Sequence, residues 1–186
     1  MRRLISTLAP ATALISILAV TPQAAAEDHT PSSKNMVVTG TDVELSESGA
    51  RDPETLAVAA ANPAAVSATA TLCGSGYELA RAVRLPDARR FGTLFTYMKS
   101  STSVAGACAV FDNDLAAAKK MKLKLCPNKA GVACKVDEGT FSQYAGLVKY
   151  ETNDVGGWID CSPVTAIMWS DGVAIIDRVI NVSECD

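Results

Sequence analysis

The 186-residue sequence predicts an all-β fold, a small antiparallel β-sandwich or barrel with one short helical turn, stabilised by disulfides. Three observations carry this expectation. Short runs of alternating apolar and polar residues fill the second half of the chain, the period at which successive side chains point to opposite faces of a strand. Turn residues separate the runs, most clearly Asp171-Gly172, a dipeptide that accepts positive φ and closes tight hairpins. Six cysteines, Cys73, Cys108, Cys126, Cys134, Cys161 and Cys185, form an even set suited to three bridges.

Residues 1–26 read as a signal peptide. Arg2 and Arg3 precede an apolar run through Val20, and Ala24-Ala25-Ala26 supplies a small-residue exit, so cleavage is expected before Glu27. Losing both arginines leaves 15 of the 17 basic residues against 20 acidic ones, a net charge near −5. That sign argues against nucleic acid or an anionic membrane as partner, since both demand clustered Lys and Arg. No later segment approaches the roughly 20 apolar residues of a membrane span, so no membrane insertion is expected after cleavage.

Residues 27–70 are rich in Ala, Ser, Thr, Pro and acids, and every aromatic residue lies from Tyr77 onward. Such composition predicts a disordered acidic leader, acting as a tether or a removed pro-segment. Within it, "PETLAVAAA" after Pro53 predicts a short helix that Pro63 ends.

Residues 71–186 then form the disulfide-bonded β domain. Strands are expected at Tyr77 to Arg84, along "FGTLFTY" from Phe91, at Ala105 to Phe111, along "KKMKLKLC" from Lys119, and at Val132 to Val136, Tyr144 to Glu151 and Trp158 to Cys161. "VTAIMWSDGVAIIDRVI" adds a hairpin about Asp171-Gly172. Lys120, Lys122 and Lys124 fall on one face of their strand and Met121, Leu123 and Leu125 on the other, which makes the lysines a solvated sheet face rather than a polyanion site. "DNDLAAAKK" supplies the one helical turn, with Asp112 to Asp114 as caps. Six cysteines permit 15 pairings. Cys126 and Cys134 bracket the connector "PNKAGVA" and are expected to pair; Cys161 is the economical partner for Cys185, which leaves Cys73 with Cys108.

The available chemistry is narrow. The only histidine, His29, lies outside the β domain, so imidazole-based nucleophilic catalysis is excluded there, and no C-x-x-C pair or His spacing supports a metal site. No cofactor is expected. Carboxylate catalysis of glycoside cleavage needs only two acids, for which Asp137, Glu138, Asp160, Asp171 and Asp177 are the candidates. Asp137-Glu138-Gly139 reads as a turn, Asp171 is accounted for by its hairpin, and Asp177 by an edge strand beside Arg178. "CGSGY" lacks the Lys-Ser/Thr ending and helix of a phosphate loop, "DND" lacks the glycine and distal Glu of a calcium loop, and Asn181-Val182-Ser183 is a glycosylation sequon. The aromatics Tyr144, Tyr150, Trp158 and Trp169 sit near turns and are candidate surface-binding residues; in a protein with ten aromatics most belong in the core.

"CGSGY" (73–77), "LFTY" (94–97), "CAV" (108–110), "GTFSQYAGLV" (139–148) and "GGWIDC" (156–161) occur together in an order that resembles the spore-associated protein A family of filamentous actinobacteria. The resemblance spans most of residues 71–186. It implies an extracellular, sheet-rich, non-enzymatic protein of spores and aerial hyphae, with a spore or hyphal surface component as partner and no catalytic residues. It also implies that Tyr144 to Tyr150 is a core strand. The rival expectations are a soluble extracellular binder or inhibitor of a secreted enzyme, working through a fixed loop such as Cys126 to Cys134, and a carboxylate-based glycosidase.

Overall fold

The computed structural model describes residues 36–185. The signal-peptide reading and the first part of the leader lie outside the described residues.

Eight strands form two antiparallel four-stranded sheets. Strands β1 (Glu78–Leu85), β2 (Gly92–Ser100), β3 (Ala105–Asn113) and β6 (Tyr144–Thr152) make the first sheet, in the order β1-β2-β3-β6. Strands β4 (Lys119–Leu125), β5 (Lys135–Phe141), β7 (Pro163–Ser170) and β8 (Val173–Asn181) make the second, in the order β5-β4-β7-β8. The inner faces pack on each other through Val83, Leu94, Phe111 and Val148 from one sheet and Met121, Leu123, Val164, Met168 and Ile176 from the other. Each large side chain so enclosed contributes about 1.5–3 kcal/mol, and this layer is the main apolar core. The β7–β8 hairpin turns at Asp171-Gly172, where φ is +52° and +80°, as the dipeptide requires.

A second apolar layer covers the other face of the first sheet. Helices α1 (Glu47–Arg51), α2 (Pro53–Ala61) and α3 (Pro63–Cys73) lie over it, and Val58, Ala59 and Val66 join Leu79, Phe95, Tyr97 and Val110 in one cluster. Over residues 36–70 this corrects the expectation of a disordered leader spanning 27–70, and with it that of a domain beginning at residue 71. The composition is poor in large residues, but the local stop and start signals are strong. Asp52 ends α1 and caps α2 through bonds from Glu54 N and Thr55 N, Asn62 ends α2 and precedes α3, and both longer helices open on proline. Small side chains then allow close approach. A Cβ on Gly49 would lie 2.3 Å from the Leu79 carbonyl oxygen, so α1 rests directly on β1.

Polar bonds fix the cover in register. Tyr97 Oη donates to the Val66 carbonyl (3.0 Å) and lies 2.6 Å from Thr69 Oγ1, all out of contact with water. Thr55 Oγ1 accepts from Ala82 N, and a parallel bridge joins Leu45 to Leu79. The Cys73–Cys108 disulfide welds the end of α3 to β3; the other two bridges, Cys126–Cys134 and Cys161–Cys185, match the expected pairing.

Four local expectations need correction. "DNDLAAAKK" forms no helix: Asp112 and Asn113 end β3, and the Asn113 amide donates to the Ala117 and Phe141 carbonyls, which holds the loop open. Asp137-Glu138-Gly139 lies within β5, and the turn falls at Ser142-Gln143. The strand expected at Val132 to Val136 begins only at Lys135, after the loop closed by Cys126–Cys134. Trp158 to Cys161 is a turn, with Ser162 N bonded to the Ile159 carbonyl.

A chain beginning at Thr71 should therefore fail to form a cooperative monomer. Leu79, Phe95, Tyr97 and Val110 would face water, several times the roughly 1.5–3 kcal/mol of one buried side chain. Gel filtration and near-UV circular dichroism check this; a monodisperse protein with sharp thermal unfolding would contradict it.

Candidate functional site

With the first sheet covered on both faces, the outer face of the second is the broad regular surface that the described residues leave open. Three cross-strand rows build it: Val136–Lys124–Thr165–Val179, Glu138–Lys122–Ile167–Asp177, and Thr140–Lys120–Trp169–Ala174. None of these twelve residues is buried, while their neighbours along β4 and β7, such as Leu123 and Ala166, are fully buried. The alternation read from "KKMKLKL" produces the lysine column. Glu138 receives Lys122 at 2.9 Å and Lys120 at 3.5 Å, and the Lys122 hydrogen bond holds its carboxyl below the usual glutamate range. Lys120 Nζ lies 5.0 Å from the centre of the Trp169 ring, a cation–π contact, and Lys119 Nζ donates to Ser170 Oγ at 2.9 Å. The face thus offers ordered ammonium groups, an indole, two threonines and two exposed valines, Val136 and Val179.

The four aromatic candidates do not converge. Trp169 is on this face. Tyr150 and Trp158 pack edge to face at 5.7 Å beside the inner core, with Lys129 Nζ 5.2 Å from the Trp158 ring centre and paired to Asp154. The loop closed by Cys126–Cys134 is therefore turned back onto the body at Lys129. Tyr144 starts β6 under the helical cover, partly buried there.

The acid candidates are scattered as well. Asp137 Oδ2 accepts from Gly146 N (2.6 Å) and ties β5 to β6 where the two sheets meet. Asp171 sits in its hairpin turn, Asp177 is exposed on β8, and Asp160 is half-buried in a turn, its carboxyl raised by burial. Asp160 borders a polar cleft of about 530 Å³ with Glu47, Glu78 and Glu184. The sequon of Asn181 is closed in, since Val182 and Ser183 are buried. No group of three or more His, Cys, Asp or Glu able to hold a metal occurs among the described residues.

One polar cluster had no forecast from the sequence. On the covered face of the first sheet, Arg84, Thr93, Asp112 and Tyr144 form the last row, beyond the core residues under the helices. Thr93 Oγ1 donates to Asp114 Oδ2 (2.7 Å), Arg90 Nε lies 3.4 Å from the same oxygen, and Arg90 Nη1 donates to Asn62 Oδ1. Asp112 is pushed up to about 6, first by burial and then by the neighbouring Asp114 charge. "DND" was the signal, but a local reading takes it for a helix cap because the residues that enclose it come from distant strands.

No family model, curated protein or solved structure matches the chain.

Asp112 makes stability depend on pH in an unusual direction for a carboxylate. Its folded-state value lies above its ordinary one, so the native protein holds this proton more tightly and stability falls as pH rises from about 4 through 6. Asp112→Asn should raise Tm at pH 7 by about 2–4 °C, on the order of 1 kcal/mol once solvent screening of the partly exposed group is allowed for. The gain should vanish below pH ~4. Thermal melts of both proteins across pH 3–8 check it; a pH-independent difference would contradict it.

Proposed function

We propose that the protein works outside the cell as a non-catalytic binding module held at the spore or aerial-hypha surface, with the outer face of the second sheet as its contact surface. The observation that carries this reading is the asymmetry of the two sheets. One is roofed by three helices, and the other presents four strands of ordered lysine, threonine, valine and tryptophan side chains to its surroundings. Such a face suits a broad, repetitive partner, because its groups are spaced by strand geometry over a plane rather than gathered around one reacting atom.

Further support comes from the covalent framework and the motifs. Three disulfides suit an oxidising compartment, and no single described helix is long and apolar enough to cross a membrane. The signal-peptide pattern and the likeness to the spore-associated protein A family point to the same compartment. The Lys129 contacts tie down the loop that an inhibitor would present.

Lys122→Glu with Trp169→Ala tests the face. Neither side chain belongs to the core, so the double variant should keep its far-UV spectrum and a cooperative thermal transition. In washed spores and culture supernatant compared by mass spectrometry, the native protein should be enriched on spores and the folded variant largely in the supernatant, a drop of about tenfold for the roughly 1.4 kcal/mol expected from one good contact. Equal retention of both would overturn the assignment to this face. Recovery of the native protein only from the supernatant would overturn the surface role itself.

A further inference from the structure

The two strands at the open side of the sandwich are treated very differently. β1 is an edge strand whose outward backbone groups are occupied: Leu79 N donates to the Glu44 carbonyl, the Leu79 carbonyl accepts from Ser46 N, Ala82 N donates to Thr55 Oγ1, and Arg84 N donates to Glu54 Oε1. Helix α2 thereby closes that edge with side chains. At the junction of the sheets, Asp137 occupies Gly146 N in the same manner. β8 has no such closure. Over Val173–Asn181 its backbone pairs with β7 alone, and among the described residues no other group bonds it. Buried or not, backbone amides and carbonyls in a strand seek partners, and a nine-residue edge without them is a template for another strand.

We infer that β8 is a docking edge for an extended segment of a partner protein, added as a fifth strand to the second sheet. Main-chain bonds supply the affinity and side chains on alternate positions the selection. The side chains of β8 say what that segment carries. Asp177 is exposed in the middle of the strand and makes no ion pair or hydrogen bond among the described residues, while Val179, two positions on and on the same face, is 60% exposed. The incoming strand is therefore one with a Lys or Arg opposite Asp177 and a β-branched residue two positions from it. Opposite charges placed across a strand pair attract, and like charges repel, by about 0.2–1 kcal/mol. The same rule disfavours the two self-pairing registers of a second copy that are centred on Asp177 or on Arg178, which set identical charges against each other. Arg178 is already engaged, donating to the Pro86 carbonyl at 3.3 Å. This inference concerns the edge of the sheet; Asp177 and Val179 also border the outer face, and exchange at the β8 amides reads the edge separately from that face.

The probes are two synthetic nonapeptides of alternating Thr and Val with lysines at the ends, one with Arg at the centre and one with Glu. Amide hydrogen exchange of the full protein is followed with each. At a peptide concentration ten times its Kd, exchange at the outward amides of Val173–Asn181 should slow about tenfold with the Arg peptide and less with the Glu peptide. Asp177→Lys should invert the preference and Asp177→Asn should abolish it, while both variants keep the parent thermal transition. Absence of slowing in β8 at millimolar peptide, slowing confined to other strands, or slowing indifferent to the central charge in all three proteins would each overturn the proposal.

Discussion

The first sheet must be buried on both faces, and most of the architecture answers that constraint. Leu94 faces the second sheet while Phe95 and Tyr97 face the helices, so β2 runs through the middle of the protein with apolar side chains in both directions. Antiparallel sheets commonly leave one side to water. This one cannot. The second sheet satisfies one face, and only the N-terminal helices are at hand for the other. Their small side chains, their proline starts and the close approach at Gly49 make a thin layer sufficient.

Covalent bonds sit where this arrangement is least secured by burial alone. Cys73 and Cys108 are both fully buried and join the cover to the middle of the sheet. The other two bridges close peripheral loops, one between β4 and β5 and one at the C-terminus, where the Val182 carbonyl also accepts from buried Thr96 Oγ1. A disulfide that closes a loop restricts the unfolded chain, worth about 2–4 kcal/mol, and small extracellular domains use this where a single core is modest.

The sheets were legible in the sequence because strand alternation and turn chemistry are local. The lysine column and the Asp171-Gly172 hairpin could be read from spacing; the cysteine pairings could not be fixed that way, since six cysteines permit 15, although the expected set matches the structure. The helical cover could not, since its stability lies in the fit of Val58, Ala59 and Val66 against Phe95 and Val110, partners about 30 or more positions away. The caps at Asp52 and Asn62 and the paired prolines were present as signals, but composition outweighed them. Asp137 was misread for a similar reason: beside Glu138 and Gly139 it resembles a turn, and its actual role depends on Gly146 across the junction of the sheets. The open face was half legible. Its lysines were seen as solvated, but that Trp169 lies across from Lys120 on the next strand, and that the opposite sheet has no comparable open face among the described residues, needed the packing of distant segments.

The position of the Cys73–Cys108 bridge also determines what a peptide-bond break means. Gly74, Ser75 and Gly76 are exposed just beyond α3. A cut among them leaves two polypeptides with the cover still fastened through Cys73, so the particle keeps its shape and its mass under oxidising conditions and separates only on reduction with unfolding. A cut before Cys73 has the opposite result, because the cover is then held by packing and hydrogen bonds alone. One bond thus divides the chain into places where cleavage leaves the cover covalently attached and places where it leaves the cover to packing and hydrogen bonds alone.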